Sequence, residues 1–334
     1  MSPNPGLPGE FALIARYFAP LARGFPGAYG LLDDAAVIAP APGCELVVKT
    51  DAIVGGIDFP PDEAADLVAR KALRVNLSDL AAKGAIPRAY MLDLMLPHSI
   101  DEAWIAAFAA GLAQDQAEYG MHLVGGDMSA TPGPATIAVM VFGETPVGKI
   151  IRRGGAHAGD AVFVTGTIGD AALGLAVLHG TMRNTDEEHA AFLVDRYRLP
   201  RPRSNLGPQL IGIASASVDV SDGLVADLRH VCEVSKLGAM IDAWRVPLSD
   251  ATRAAVTYNP KLVATVLTGG DDYEILFTAP PAAMQAIVEV ARATNVPITR
   301  IGRMVTSSDD ECNVSVIDVN GRPLALSSEG WTHF

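Results

Sequence analysis

The chain is short of cysteine, of basic charge and of long apolar runs, and each shortage removes a class of function. Its three cysteines, Cys44, Cys232 and Cys312, lie far apart and show no Cys-x-x-Cys spacing. An odd number so spaced argues against a disulfide framework and favours a reducing cytoplasm. Lys and Arg number 25 against 38 Asp and Glu, a net charge of −13. A nucleic-acid binder needs a basic footprint that releases counterions, so none is expected. No stretch approaches the ~18 uninterrupted apolar residues of a membrane span. The N-terminus also lacks a basic segment followed by an apolar one, so neither a span nor a signal peptide is expected.

Catalytic sulfur and imidazole are equally scarce. The cysteines have no neighbouring His, and His157, His179 and His230 stand isolated. No Gly-x-Ser-x-Gly elbow, Rossmann fingerprint or kinase Gly-rich loop is present. Gly143-Glu144-Thr145-Pro146-Val147-Gly148-Lys149 begins like a P-loop, but Ile150 follows where Ser or Thr must coordinate Mg²⁺. Any nucleotide is therefore handled by another route.

What the chain does have is acid in six short motifs, in five of them beside Gly, Ser or Thr. These are Asp33-Asp34, Thr50-Asp51, Asn76-Leu77-Ser78-Asp79, Gly125-Gly126-Asp127, Asp219-Val220-Ser221-Asp222-Gly223 and Gly269-Gly270-Asp271-Asp272. Each alone is ordinary turn chemistry. Asp79 is the exception, because it falls in an apolar helical stretch and needs a partner, for which an ion pair with Arg74 or Lys71 is the structural alternative. Together the six offer hard oxygen ligands, which suit Mg²⁺ or Mn²⁺ rather than zinc, copper or iron. Mg²⁺ typically takes one or two carboxylates and completes its shell with water and substrate phosphates. Many carboxylates thus point to several metals on a nucleotide.

With 334 residues, 49% hydrophobic, and 32 Gly, the composition suits a packed α/β protein of two domains. Helices are expected over 10–21, from Asp62 toward Gly84, and over 101–119 with Gly120 as C-cap. Strands are expected over 45–50, 89–96, 122–124 and 135–142. The run from Thr145 to Gly155 reads as the boundary between a domain of 1–148 and one of 149–334. Beyond it, strands are expected over 161–165, 217–220, 239–242, 263–267 and 273–278. Helices are expected there over 170–179, 186–198, 223–235 and 282–294. Thr50-Asp51, Asp127 and Asp219 would then close strands, and Asp222-Gly223 would open a helix whose free N–H groups suit phosphate.

In their order along the chain these motifs resemble those of the thiamine-monophosphate kinases. The resemblance runs from Gly9-Glu10-Phe11 and Asp33-Asp34-Ala35-Ala36-Val37 through the Asn76–Ala82 helix and Gly125-Gly126-Asp127. It continues through Thr165–Asp170, Asp219–Leu224 and Gly269–Glu274 to the terminal Gly330-Trp331-Thr332-His333-Phe334. It implies the two-domain α/β fold of the aminoimidazole ribonucleotide synthetase-like superfamily, dimerising through the N-terminal sheet. It further implies several Mg²⁺ held by Asp34, Thr50, Asp51, Asp79, Asp127, Asp219 and Asp222. Gly126, Asp127, Arg153 and Ser221 would touch ATP, while Asp58, Asp271 and Trp331 would lie at thiamine monophosphate. Lys49 stands where the family often has Ser, Asp58 where it often has His, and Leu32 and Met128 also depart from its pattern. The implied reaction is direct in-line phosphoryl transfer to thiamine monophosphate in a cytoplasmic homodimer, with no general base and no phosphoenzyme. The alternatives are another ATP-using synthetase of the superfamily and a non-catalytic Mg-nucleotide-binding protein.

Overall fold

A computed structural model of the chain describes residues 7–182, 185–307, 312–326 and 330. They fall into two compact units, one of the chain up to Leu80 with Ala85–Gly148, the other of Ala81–Gly84 with the chain from Lys149.

The first unit begins with α1 (Glu10–Leu13), which widens into a π-helical turn at Ile14–Phe18 and tightens into a 3₁₀ turn at Ala19–Ala22. The uniform helix expected over 10–21 thus keeps α geometry only to Leu13, and Pro20, whose ring carries no N–H for the Arg16 carbonyl, cannot restore it. There follow β1 (Cys44–Val54), α2 (Ala65–Ala82), β2 (Ile86–Pro97), α3 (Glu102–Tyr119), β3 (His122–Thr131) and β4 (Thr136–Pro146). The sheet order is β1-β4-β2-β3, with β2 and β3 parallel and the other pairs antiparallel. The parallel pair is connected through α3, as a crossover requires.

One face of this sheet is apolar, with Leu92, Leu94, Ile137, Val139 and Val141 buried, as are Leu73, Leu77, Leu80, Phe108 and Leu112 of α2 and α3. The two helices approach closely at Gly111, where a Cβ would sit 2.4 Å from the Asp66 carbonyl oxygen. Arg74 then reaches Asp115 at 2.7 and 2.9 Å and Glu118 at 2.9 Å. On the other face, Met91 and Phe142 are covered by Phe25, Leu31, Ala36 and Ile38 of the N-terminal segment.

The second unit contains β5 (Ala161–Thr165), α4 (Asp170–Leu178), α5 (Glu187–Arg198), β6 (Ala216–Asp219), α6 (Leu224–Ser235) and β7 (Gly238–Asp242). It continues with α7 (Asp250–Tyr258), α8 (Leu262–Thr268), β8 (Ile275–Ala279), α9 (Met284–Thr294), β9 (Ile298–Val305) and β10 (Val314–Ile317). Its mixed sheet has the order β10-β7-β9-β5-β8-β6, parallel only between β10 and β7. The run 263–267, expected as a strand, is α8: a short apolar run has no periodicity that separates strand from buried helix. Its Val266 and Leu267 pack into the core with Leu173, Leu224 and Leu276. The elements α7, β9 and β10 had no counterpart among the expected ones. Among the described residues no helix is long and apolar enough to cross a membrane.

Candidate functional site

In the first unit the N-terminal segment and the strand edge enclose a pocket of about 150 Å³. Asp33 and Asp34 enter it from the segment, and Gly126 and Asp127 from β3. The rest of the wall is largely apolar, with Ile14, Phe18, Leu92 and Val124 among its residues. Gly126 is required there, since at φ 152° a Cβ would lie 1.9 Å from the Leu92 carbonyl oxygen. The motif that reads as a turn is thus a close backbone contact between parallel strands.

The strands run past the motifs that were expected to end them. Thr50 and Asp51 lie inside β1 and Asp127 inside β3, because the ladders continue to Val54 and Thr131. Consecutive side chains on a strand point to opposite faces. Thr50 shares its row with Met140 and Met91, whereas Asp51 shares its row with Val139 and Leu92. Asp127 pairs with Asp93 and Ala138, whose register partner is Ala52, so it belongs to the face of Thr50.

Asp51 has company on its own face. Lys49, two residues earlier, extends its Nζ to 3.2 Å from Asp51 Oδ2 and 2.9 Å from Asp79 Oδ2. Burial lowers the Lys49 pKa, but Asp79 and Asp51 outweigh it and hold the ammonium above its ordinary value. The partner of Asp79 is thus Lys49 rather than Lys71 or Arg74. Lys71 donates to the Asp58 carbonyl oxygen at 2.9 Å, and Arg74 is engaged with α3. Asn76 is fully buried and bonds back to the Ala72 carbonyl oxygen at 3.0 Å.

In the second unit Asp219 ends β6, and Gly223 is the N-cap of α6. Three N–H groups of the loop that leads into this helix, in the segment expected to be open to phosphate, are already engaged. Asp227 Oδ2 accepts from Ser221, Asp222 and Gly223 at 3.0, 3.1 and 3.2 Å. Burial pushes the Asp227 carboxyl well above the usual range; Asp219 and Asp222 push the same way, against the Asp222 and Ser221 N–H groups. Asp271 meets this loop through its N–H, 2.8 Å from the Ser221 carbonyl oxygen. Asp271 and Tyr273 hold left-handed φ of 69° and 50°, and the Tyr273 hydroxyl reaches Asp271 Oδ1 at 3.2 Å.

The two acids flanking Asp271 and Tyr273 are structural. Asp272 accepts from the Gly169 N–H at 2.8 Å, and its burial raises its carboxyl well above the usual range. Glu274 takes Thr165 Oγ1 at 2.6 Å, Arg196 Nη2 at 3.0 Å and Arg203 Nε at 2.6 Å, with a further bond from Arg203 Nη2. The left-handed pair is thus held by the buried acids that alternate with it, Asp272 between the two and Glu274 after them.

Arg153 is exposed. Asp58 accepts the Val54 N–H at 2.8 Å and so closes the turn after β1. Trp331 lies outside the described residues; a Cβ on its neighbour Gly330 would stand 3.1 Å from the Asp222 carbonyl oxygen. Sequence reasoning missed Asp93 and Asp227. An acid alternating with Met91 and Met95 in a strand, and one in the first turn after Ser-Asp-Gly, were the available signals. Cys232 is buried, and burial pushes its thiol up to about 12.

The donor set fits Mg²⁺ in kind, being all oxygen. Among the described residues no group of three or more His, Cys, Asp or Glu is gathered at metal-holding geometry. Between Asp51 and Asp79 the fit fails, because an ammonium already fills the space.

Two mixed α/β units with acid-rich strand edges describe a class of protein that family models resolve further. Residues 32–145 match the AIR synthase related protein, N-terminal domain, and residues 157–315 match the C-terminal domain. The thiamine-monophosphate kinase of Caulobacter vibrioides is 41% identical over 335 residues, 99% of this chain and 93% of that protein. The crystal structure of thiamine-monophosphate kinase from Stenotrophomonas maltophilia K279a is 36% identical, with a TM-score of 0.83 over 95% of this chain and 98% of that one. A structure described as "AaThiL complexed with AMPPCP and TMP" is 29% identical, with a TM-score of 0.76 over 92% of this chain and 97% of that one. The chain belongs to the AIR synthase related family and, within it, to the thiamine-monophosphate kinases.

Proposed function

We propose that the chain transfers the γ-phosphoryl group of ATP directly to the phosphate of thiamine monophosphate, giving ADP and thiamine diphosphate. The full-length likeness to thiamine-monophosphate kinases carries this reading. In the first unit the apolar pocket suits a nucleotide base, with Gly126 backbone and Asp127 beside the phosphates. For the second unit, the likeness to thiamine-monophosphate kinases supports Arg153 and Ser221 as nucleotide-binding residues and Asp271 as a residue for the thiamine substrate. Asp58, held in its turn, borders that substrate. The proposed ligands of Mg²⁺ are Asp34, Thr50 and Asp127 in the first unit and Asp219 and Asp222 in the second; Asp51 and Asp79, with Lys49 between them, meet the phosphates from the opposite face of β1, at the edge of the sheet.

The acceptor needs no general base, since a phosphate monoester with a second pKa of about 6 is mostly dianionic at neutral pH. The obstacle is charge: two unit charges about 4 Å apart repel by roughly 4 kcal/mol at an effective dielectric of 20. Mg²⁺ supplies counter-charge on the phosphates when bound. The chain's own task is to hold the two substrates in line and to keep its carboxylates where cations, not phosphates, meet them. Asp227 does this for Asp222 by pinning the backbone of the loop. Clamped by Asp272 and Glu274, Asp271 is held in the left-handed conformation.

We further propose a cytoplasmic homodimer. Exposed Val48 and Met140 lie on the Thr50 face of the first sheet, which supports pairing there. Chromatography of purified protein with ATP, Mg²⁺ and either thiamine monophosphate or free thiamine tests the function. Thiamine diphosphate is expected from the monophosphate only. ATP binding without any new phosphorylated product would refute transfer and leave a nucleotide-binding protein.

A further inference from the structure

Lys49 raises a question that the proposed metal ligands do not answer. Its ammonium touches two carboxylates from different elements, Asp51 on β1 and Asp79 on α2. Strand periodicity puts Lys49 and Asp51 on one face, and Asp79 lies over that face. The other cations of α2 near Asp79 are committed elsewhere, Lys71 to the Asp58 carbonyl and Arg74 to Asp115 and Glu118. The trio is not sealed away: the side chains of Lys49, Asp51 and Asp79 are 33%, 43% and 20% exposed. A phosphate oxygen can therefore reach the ammonium, which carries three donors.

We propose that Lys49 is a built-in substitute for one divalent cation. This rests on the reading above, in which Asp51 and Asp79 meet the phosphates. Two carboxylates from a strand and a helix, both open to phosphate, are the donors that Mg²⁺ takes when it bridges protein and nucleotide. Here a covalently tethered positive charge takes that place. It needs no loading from solution, and it leaves the Asp51–Asp79 pair at a net charge of −1 rather than neutral. The site then assembles with one bound ion fewer than its carboxylates suggest, and Lys49 presents a donor to phosphate where an ion would present an open coordination position.

The test is a count of ions. Mn²⁺ bound per chain is measured by equilibrium dialysis in the presence of a non-hydrolysable ATP analogue, for the wild type, Lys49→Ser and Asp51→Asn. Lys49→Ser vacates the space and is expected to bind one more Mn²⁺ per chain than the wild type. Asp51→Asn keeps Lys49 and is expected to bind the same number as the wild type. Equal counts in the wild type and Lys49→Ser would overturn the proposal, and so would the loss of an ion in Asp51→Asn. The second comparison decides the matter if Lys49→Ser does not fold. Turnover by the wild type is scored separately: a chain that binds the Mn-nucleotide but makes no thiamine diphosphate refutes the kinase reading and leaves the ion count standing.

Discussion

Replacing Glu274 by Gln removes a charge from the centre of the second unit without changing the shape of the side chain. Glu274 is fully buried, and each of its oxygens accepts two bonds. Oε1 serves Arg196 and Arg203, while Oε2 serves Thr165 and Arg203. Whichever way the new amide turns, its NH₂ faces two donors. Removing one partner of a buried ion pair typically costs about 3–5 kcal/mol, because the other charge is left without compensation. The lower end applies here. Arg196 keeps Asp170 at 3.8 Å, and the side chain of Arg203 is 18% exposed. A loss of about 3 kcal/mol corresponds to a fall of roughly 6–12 °C in the melting temperature of a unit of this size. Scanning calorimetry of the wild type and Glu274→Gln reads this as a shift of one transition. The same change should weaken thiamine monophosphate, since Tyr273 and Asp271 hang from the adjoining backbone, bonded to Val220 and Ser221 at 2.8 Å each. A melting shift below about 2 °C would refute the reasoning, because the network would then contribute no net stability.

Asp127→Asn should nearly abolish turnover with an unchanged far-ultraviolet circular dichroism spectrum; near-normal activity at saturating Mg²⁺ would remove Asp127 from the site. Gly126→Ala forces a Cβ against the Leu92 carbonyl oxygen and should cost about 3 kcal/mol, seen in urea unfolding, together with a weaker ATP affinity in a binding titration. Asp227→Ala leaves three N–H groups without their acceptor and should cost about 2 kcal/mol and slow turnover, whereas wild-type values for both would mean that the loop holds itself. Asp272 has a folded pKa raised above its ordinary 3.8, so the folded chain keeps a proton over a window in which the unfolded chain has lost it. Its contribution to stability therefore falls as pH rises from 3.8 toward the folded value, and Asp272→Asn should remove that part of the slope; identical pH profiles for the two proteins would contradict it.

The functional family was legible in the sequence because its acids sit in short, ordered local patterns, which survive without any knowledge of long-range contacts. Helix α3 was legible for the same reason. Asp101 accepts the Trp104 N–H at 2.8 Å, and Gly120 stands at φ 68°, both local signals within one turn of the ends. Only tertiary structure decided the partners. The face of a residue inside a strand depends on where the ladder stops, so the separation of Thr50 from Asp51 and the pairing of Asp93 with Asp127 followed from register. Whether 263–267 becomes strand or helix depends on what it packs against, since apolar content alone stabilises either. The binding of Asp227 to the loop before it, and of Glu274 to Thr165 and two arginines, joins residues by burial rather than by spacing. Lys49 is the sharpest case: the sequence alone determined that a lysine stood beside Asp51, but only the packing of α2 over β1 put Asp79 on its other side. Electrostatic energy depends on distance in space, and distance in space is what the linear order of residues leaves undetermined.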